Sequence, residues 1–172
     1  MFELASPSRS QWAVQVLTRD YLIEGNLDGE RDKYSFRLVG HDVGTVILTS
    51  ARFQPATTLA VPARPPVPQV LIHGDELVAL IPRDEAGTTE DMKNNAPFKY
   101  PVPAEVYVGP YVIRGQVLSM DKNLRVFATY VGFVVQDAVV DCLLPGAQLT
   151  GLKAPYLLVM SRHKQLVVPL GS

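Results

Sequence analysis

A chain that spells one pattern twice can adopt only folds with a use for it twice. The internal repeat is therefore the tightest constraint this sequence carries. Residues 16–27 read VLTRDYLIEGNL and residues 106–117 read VYVGPYVIRGQV, a shared Tyr-aliphatic-Ile-charge-Gly-polar-aliphatic pattern ninety residues apart. Residues 36–44, FRLVGHDVG, then correspond to residues 124–132, LRVFATYVG, through Arg37/Arg125, Val43/Val131 and Gly44/Gly132 at a spacing of 88. Residues 68–82, PQVLIHGDELVALIP, lie over residues 155–169, PYLLVMSRHKQLVVP, without a gap at a spacing of 87, and a proline stands at both ends of both copies. Small length changes in loops account for the drift. Three blocks in the same order point to an internal duplication, and two copies are too few for a stacked array. A pair of similar small domains, or a fused pseudo-dimer, is the expected use.

The repeated blocks are rich in Val, Ile, Tyr and Thr, whose branched or aromatic side chains suit a pleated surface. In YLIEGNL, Tyr21 and Ile23 fall on one face and Leu22 and Glu24 on the other, ahead of Gly25. A glycine inside a strand weakens it unless a bend, a bulge or a close backbone approach requires one. Gly25 and Gly115 hold the same place in the two copies, so each copy is expected to bend sharply there, as strands do when a small sheet curls into a barrel. Helix signals are poor. Residues 8–16 are expected to form a short helix capped by Ser8 with Trp12 inward, and residues 121–127, DKNLRVF, one turn capped by Asp121. The fold class expected is all-β: two similar small, strongly bent β-barrel or sheet units from an internal duplication, with at most short helices. The first unit spans residues 1–83, a polar linker residues 84–101, and the second unit residues 102–172.

Residues 52–69 hold five prolines and read as an extended, stiff connection. PARPPVP within it also has the Pro-x-x-Pro spacing of a peptide ligand, although it falls where the repeat needs a strand-to-strand loop. Residues 84–101 are polar and aperiodic, and the carboxylate pairs Asp84-Glu85 and Glu90-Asp91 there read as solvated.

Charge limits the partners. With 172 residues, 47% hydrophobic, 19% charged and a formal net charge of −1, there is material for a core and no net positive field to recruit nucleic acid or acidic lipid. The single cysteine, Cys142, excludes an internal disulfide and suits a reducing compartment. Residues 1–12 have neither a basic n-region nor an apolar h-region, and no apolar run approaches the ~20 residues of a membrane-crossing helix. A soluble, cytoplasmic protein is the expectation.

Chemistry is sparse. His41, His73 and His163 stand far apart in the sequence, so a metal site is not expected. Cys142, in VVDCLLPG, reads as a small buried hydrophobe. No GxSxG, phosphate-binding loop or GxGxxG occurs, and no cofactor is expected. Asp137 and Asp141, four residues apart on a strand, would share a face and form either a carboxylate pair or an exposed polar stripe.

The segment Ile72-His73-Gly74-Asp75-Glu76-Leu77-Val78-Ala79-Leu80 resembles the second signature of Sm/LSm-like proteins, where an aliphatic residue, a basic residue, Gly and Asp or Asn precede an apolar strand. LIEGNLDG is similar to the bent second strand of that fold, and TVILTSARF to the apolar strand that follows. The resemblance covers most of each copy and implies a tandem of small five-stranded barrels that associate edge to edge into rings. The family's RNA loop carries an Asp followed by Met-Asn. The first copy has only His41-Asp42 there, the second has Asp121 and Asn123 in a different place, and Ser161-Arg162 replaces Gly-Asp.

Three readings follow. The first is a non-enzymatic assembly or adaptor protein that self-associates or binds a protein partner through strand edges and through two turns, His73-Gly74-Asp75-Glu76 and Arg162-His163-Lys164. Small antiparallel sheets leave unpaired borders, and LLVMSRHKQLVV and FVVQDAVVDCLL carry few charges to blunt them. One turn is acidic and the other basic, so charge complementarity could order the assembly. The second reading is an Sm-like RNA-binding protein using His73, Arg162 and Lys164. The third is an enzyme with a pocket between the copies lined by Asp137, Asp141 or histidine.

Overall fold

The computed structural model describes residues 11–28, 44–58, 62–83, 99–122, 124, 132–160 and 165–171. Ten strands carry the chain: β1 (Gln11–Leu17), β2 (Tyr21–Asp28), β3 (Thr45–Pro55), β4 (Val67–His73), β5 (Ala79–Pro82), β6 (Tyr100–Val108), β7 (Tyr111–Ser119), β8 (Gly132–Cys142), β9 (Leu152–Met160) and β10 (Gln165–Pro169). They form one open antiparallel sheet in the order β10-β6-β7-β8-β9-β5-β1-β2-β3-β4. Among the described residues there is no α-helix, only a single 3-10 turn at Gly74–Glu76.

The helix expected over residues 8–16 is corrected. Gln11 onward is strand, because Trp12, Val14 and Val16 all enter one core at every second residue. Trp12 does point inward, as expected. Residues 8–10 and the remainder of the 121–127 turn beyond Lys122 and Leu124 lie outside the described residues. The proline-rich connection is shorter than expected, since β3 runs on to Pro55 and β4 begins at Val67. Of the expected 84–101 linker, residues 84–98 lie outside the described residues and β6 already begins at Tyr100.

Each half has the strand order fifth-first-second-third-fourth, and the pairing registers coincide. Val14 faces Pro82 as Ala104 faces Pro169; Tyr21 faces Pro55 as Tyr111 faces Cys142; Ile47 faces Leu71 as Val134 faces Leu158. The Arg83 N–H donates to Ala13 C=O at 3.0 Å as Leu170 N–H donates to Pro103 C=O at 2.9 Å. Both second strands skip register at their glycine, between Glu24 and Asn26 and between Arg114 and Gln116. Opposite each lies a bulged residue with positive φ, Ser50 and Asp137, both at 51°. A Cβ on Gly115 would stand 2.7 Å from Gln136 O, so the glycine is required by close backbone approach.

The two cores meet at a seam. Strands β5 and β9 pair antiparallel, Ala79 opposite Val159 and Leu80 opposite Leu158. Ala79, Ile81, Leu157 and Val159 enter the core closed by β6–β8, whereas Leu80, Leu158 and Met160 enter the core closed by β1–β4. Period-two alternation thus sends neighbouring residues into cores on opposite faces of the same strands. Burial of a Leu or Val side chain contributes about 1.5–3 kcal/mol, and at the seam both faces supply it.

Candidate functional site

The acidic turn follows β4, a border strand. His73 ends β4 and is exposed, Gly74 is buried, and Asp75 and Glu76 are exposed. The Gly74 N–H donates to Gly44 C=O (3.0 Å) and Leu77 N–H to Gly74 C=O (3.2 Å), which fastens the turn between border and seam. The basic turn, Arg162-His163-Lys164, lies outside the described residues, as does His41. Its flank is placed nonetheless: Met160, two residues ahead of Arg162, donates its N–H to Val78 C=O at 3.0 Å, two residues beyond Glu76. The seam therefore brings the flanks of the two turns together within one chain.

The unpaired borders are β4 and β10, with no strand on their outer sides among the described residues. This corrects one expectation, because FVVQDAVVDCLL is chiefly β8, an interior strand held between β7 and β9. On β4 the side chain of Leu71 is exposed, and on β10 those of Leu166 and Val168. Sequence reading named the turns and, in LLVMSRHKQLVV, the stretch that holds Leu166 and Val168, but missed Leu71. Leu71 and Leu158 are the same residue type in the same pattern, and no local signal separates the exposed one from the buried one.

The outer face of each half carries a charged cluster at matching positions, with opposite signs at its centre. In the first half, Glu24 accepts from Gln15 Nε2 at 2.5 Å and lies 3.5 Å from Arg52. A cleft of about 540 Å³ opens beside it, lined by Gln15, Glu24, Asn26, Arg52, Val67 and Arg83 among others. In the second half, Arg114 sits between Glu105 (2.9 Å) and Asp141 (2.7 Å). Tyr107 donates to Glu105 at 2.7 Å, and that bond together with Arg114 holds the Glu105 carboxyl below its usual range. The Glu105 carboxylate in turn pushes the Tyr107 phenol and the Arg114 guanidinium up.

Of the two readings of Asp137 and Asp141, the structure favours the polar stripe: Asp137 is exposed, both alternate with the buried Ala138, Val140 and Cys142, and Asp141 is committed to Arg114 and to the Gly151 N–H (2.6 Å). The cleft is lined by neither residue, nor by a histidine. No group of three His, Cys, Asp or Glu residues suited to a metal occurs among the described residues. Cys142 is buried, as expected. The Pro-x-x-Pro segment is exposed at residues 62–66 and anchored at two points: Tyr21 donates to Pro62 C=O (3.0 Å), and Arg64 donates to the Tyr21 hydroxyl (3.1 Å) while lying over its ring. Among the described residues no helix is long and apolar enough to cross a membrane.

Two further contacts join the halves. Tyr111, fully buried, donates to Thr18 C=O at 2.7 Å, and burial pushes its phenol far up. Thr57 donates to Pro145 C=O at 2.6 Å, beside a bridge between Thr57 and Ala147. Compared with protein families, curated proteins and solved structures, the chain matches none.

Proposed function

We propose that this protein is a non-enzymatic assembly module, built from two copies of one strongly bent, Sm-like β unit, that self-associates or engages a protein partner through its strand edges and adjoining turns. The coincidence of the registers, down to the paired bulges at Gly25 and Gly115, supports the duplicated unit. The observation that carries the function is the pair of unpaired borders, β4 and β10, each bearing exposed aliphatic side chains. Unpaired backbone donors and acceptors on an apolar strand are a template for pairing, and proteins that must stay single blunt such edges with charge. Here Leu71 and Leu166 stand where lysine would be protective. In the second half the charged cluster is satisfied by its own partners, with Arg114 between Glu105 and Asp141, whereas in the first Glu24 and Arg52 form one exposed pair.

Light scattering across a concentration series tests the reading, and a mass above that of one chain is expected. Filter binding of U-rich and A-rich RNA at two salt concentrations tests the rival. Strongly salt-dependent retention would favour RNA binding over assembly, because phosphate contacts release counterions.

A further inference from the structure

We infer that the partner of the free borders is a second copy of this chain docked head to tail, β4 of one copy against β10 of the next, with Ile72 opposite Leu166 and Leu71 opposite Val167. The inference rests on the reading of two like units, and its template is the seam inside the chain. There the fourth strand of one half (β9) meets the fifth strand of the other (β5), Val159 opposite Ala79 and Leu158 opposite Leu80. Ile72 and Leu71 hold in β4 the ladder positions that Val159 and Leu158 hold in β9, and Leu166 and Val167 hold in β10 those of Ala79 and Leu80.

Burial tells the same story. Leu158 is 2% exposed at the seam and its counterpart Leu71 is 55% exposed; Ala79 is 0% exposed and its counterpart Leu166 is 61% exposed. Ala56, which packs across the halves at 0%, corresponds to Leu143 at 57%. Ile47, Leu144 and Val168 are likewise exposed, at positions matching buried Val134, Thr57 and Ile81. Most of the large exposed aliphatic side chains among the described residues thus stand where the seam buries their counterparts. An apolar surface so grouped marks a contact. Ile47 and Leu71 belong to one end of the molecule, and Leu143, Leu144, Leu166 and Val168 to the other, so each end finds its complement only in the opposite end of another copy.

The backbone follows the same template. The Met160 N–H to Val78 C=O bond at the seam has as its equivalent a bond from the His73 N–H to Gln165 C=O of the next copy. Pro68 interrupts β4 where Pro155 interrupts β9, and Pro169 ends β10 where Pro82 ends β5. Prolines at these places confine the ladder to the few residues beyond them, which fixes its register. A contact between two different ends does not stop at a dimer: it closes into a ring or continues as a filament.

Two variants at exposed positions decide the matter, Leu71→Glu and Leu166→Glu, compared with wild type by sedimentation equilibrium. Circular dichroism melting establishes that both remain folded. Wild type is expected to form particles larger than a dimer, and each variant alone to associate at least about 30-fold more weakly. An equimolar mixture of the two is expected to give a species of twice the chain mass and nothing larger, because each variant keeps one intact end. A Leu71→Glu protein that still dimerises alone, with no new species on mixing, would show like-to-like pairing and overturn the head-to-tail arrangement while leaving self-association standing. Variants that associate as well as wild type would remove the borders from the contact. A wild-type protein that stays monomeric throughout would overturn self-association altogether.

Discussion

At the bend of the first half, a Cβ added to Gly25 would lie 3.0 Å from Leu48 Cβ and from Thr49 O. At the bend of the second, one added to Gly115 would lie 2.7 Å from both Gln136 O and Val135 Cγ1. The first bend carries a loose pair on its outer face, Glu24 with Arg52 at 3.5 Å, and the second a clamp in which one arginine bridges two carboxylates. The two tyrosines that open these strands differ as well. Tyr21 is half-buried against Phe53 and Arg64, whereas Tyr111 is sunk into the seam. The two bends are thus finished differently, the second closely packed and clamped by Arg114 and the first looser, although each half keeps one uncovered border.

The largest expected difference is at the glycines. Gly115→Ala should destabilise the protein by about 2–3 kcal/mol, since a backbone carbonyl must move, and Gly25→Ala by about 1 kcal/mol, in urea unfolding. Equal losses would mean that the two bends are packed alike after all. Next come the tyrosines. Tyr111→Phe leaves the Thr18 carbonyl without its buried donor and should cost about 1–2 kcal/mol, against about 0.5 kcal/mol or less for Tyr21→Phe in the same measurement.

The smallest effect separates the charged clusters. The folded-state pKa of Glu105 is lowered, so its ionised form adds stability above the ordinary carboxylate range and that contribution is lost as pH falls through the lowered value. Melting temperatures of wild type and Glu105→Gln should therefore differ at neutral pH and converge in acid. Arg52→Gln in the exposed first cluster should change stability by about 0.5 kcal/mol or less at neutral pH. A loss at Arg52 as large as that at Glu105 would erase the contrast.

Much of the fold was legible in the residues themselves. Alternation and β-branching marked the strands, the matched Pro82 and Pro169 marked where β5 and β10 end, and Gly25 and Gly115 marked the bends. The helix expected at the N-terminal end failed because Ser8 resembles a cap while the alternation Trp-x-Val-x-Val that overrides it is short. The bulge on β8 was not legible, because it adds a residue at Asp137 without leaving a sequence mark on that strand. Which strands would be borders was hidden for another reason. Whether Leu71 or Leu158 is covered depends on what the other half of the chain does, and no short stretch of residues contains that information.

Strands β5 and β9 line both cores at once. A nick in the segment at residues 84–98 would cut the covalent thread and leave each piece holding a wall that the other core lacks. Separately expressed pieces should thus be poor folders in isolation, yet able to reconstitute one another when mixed.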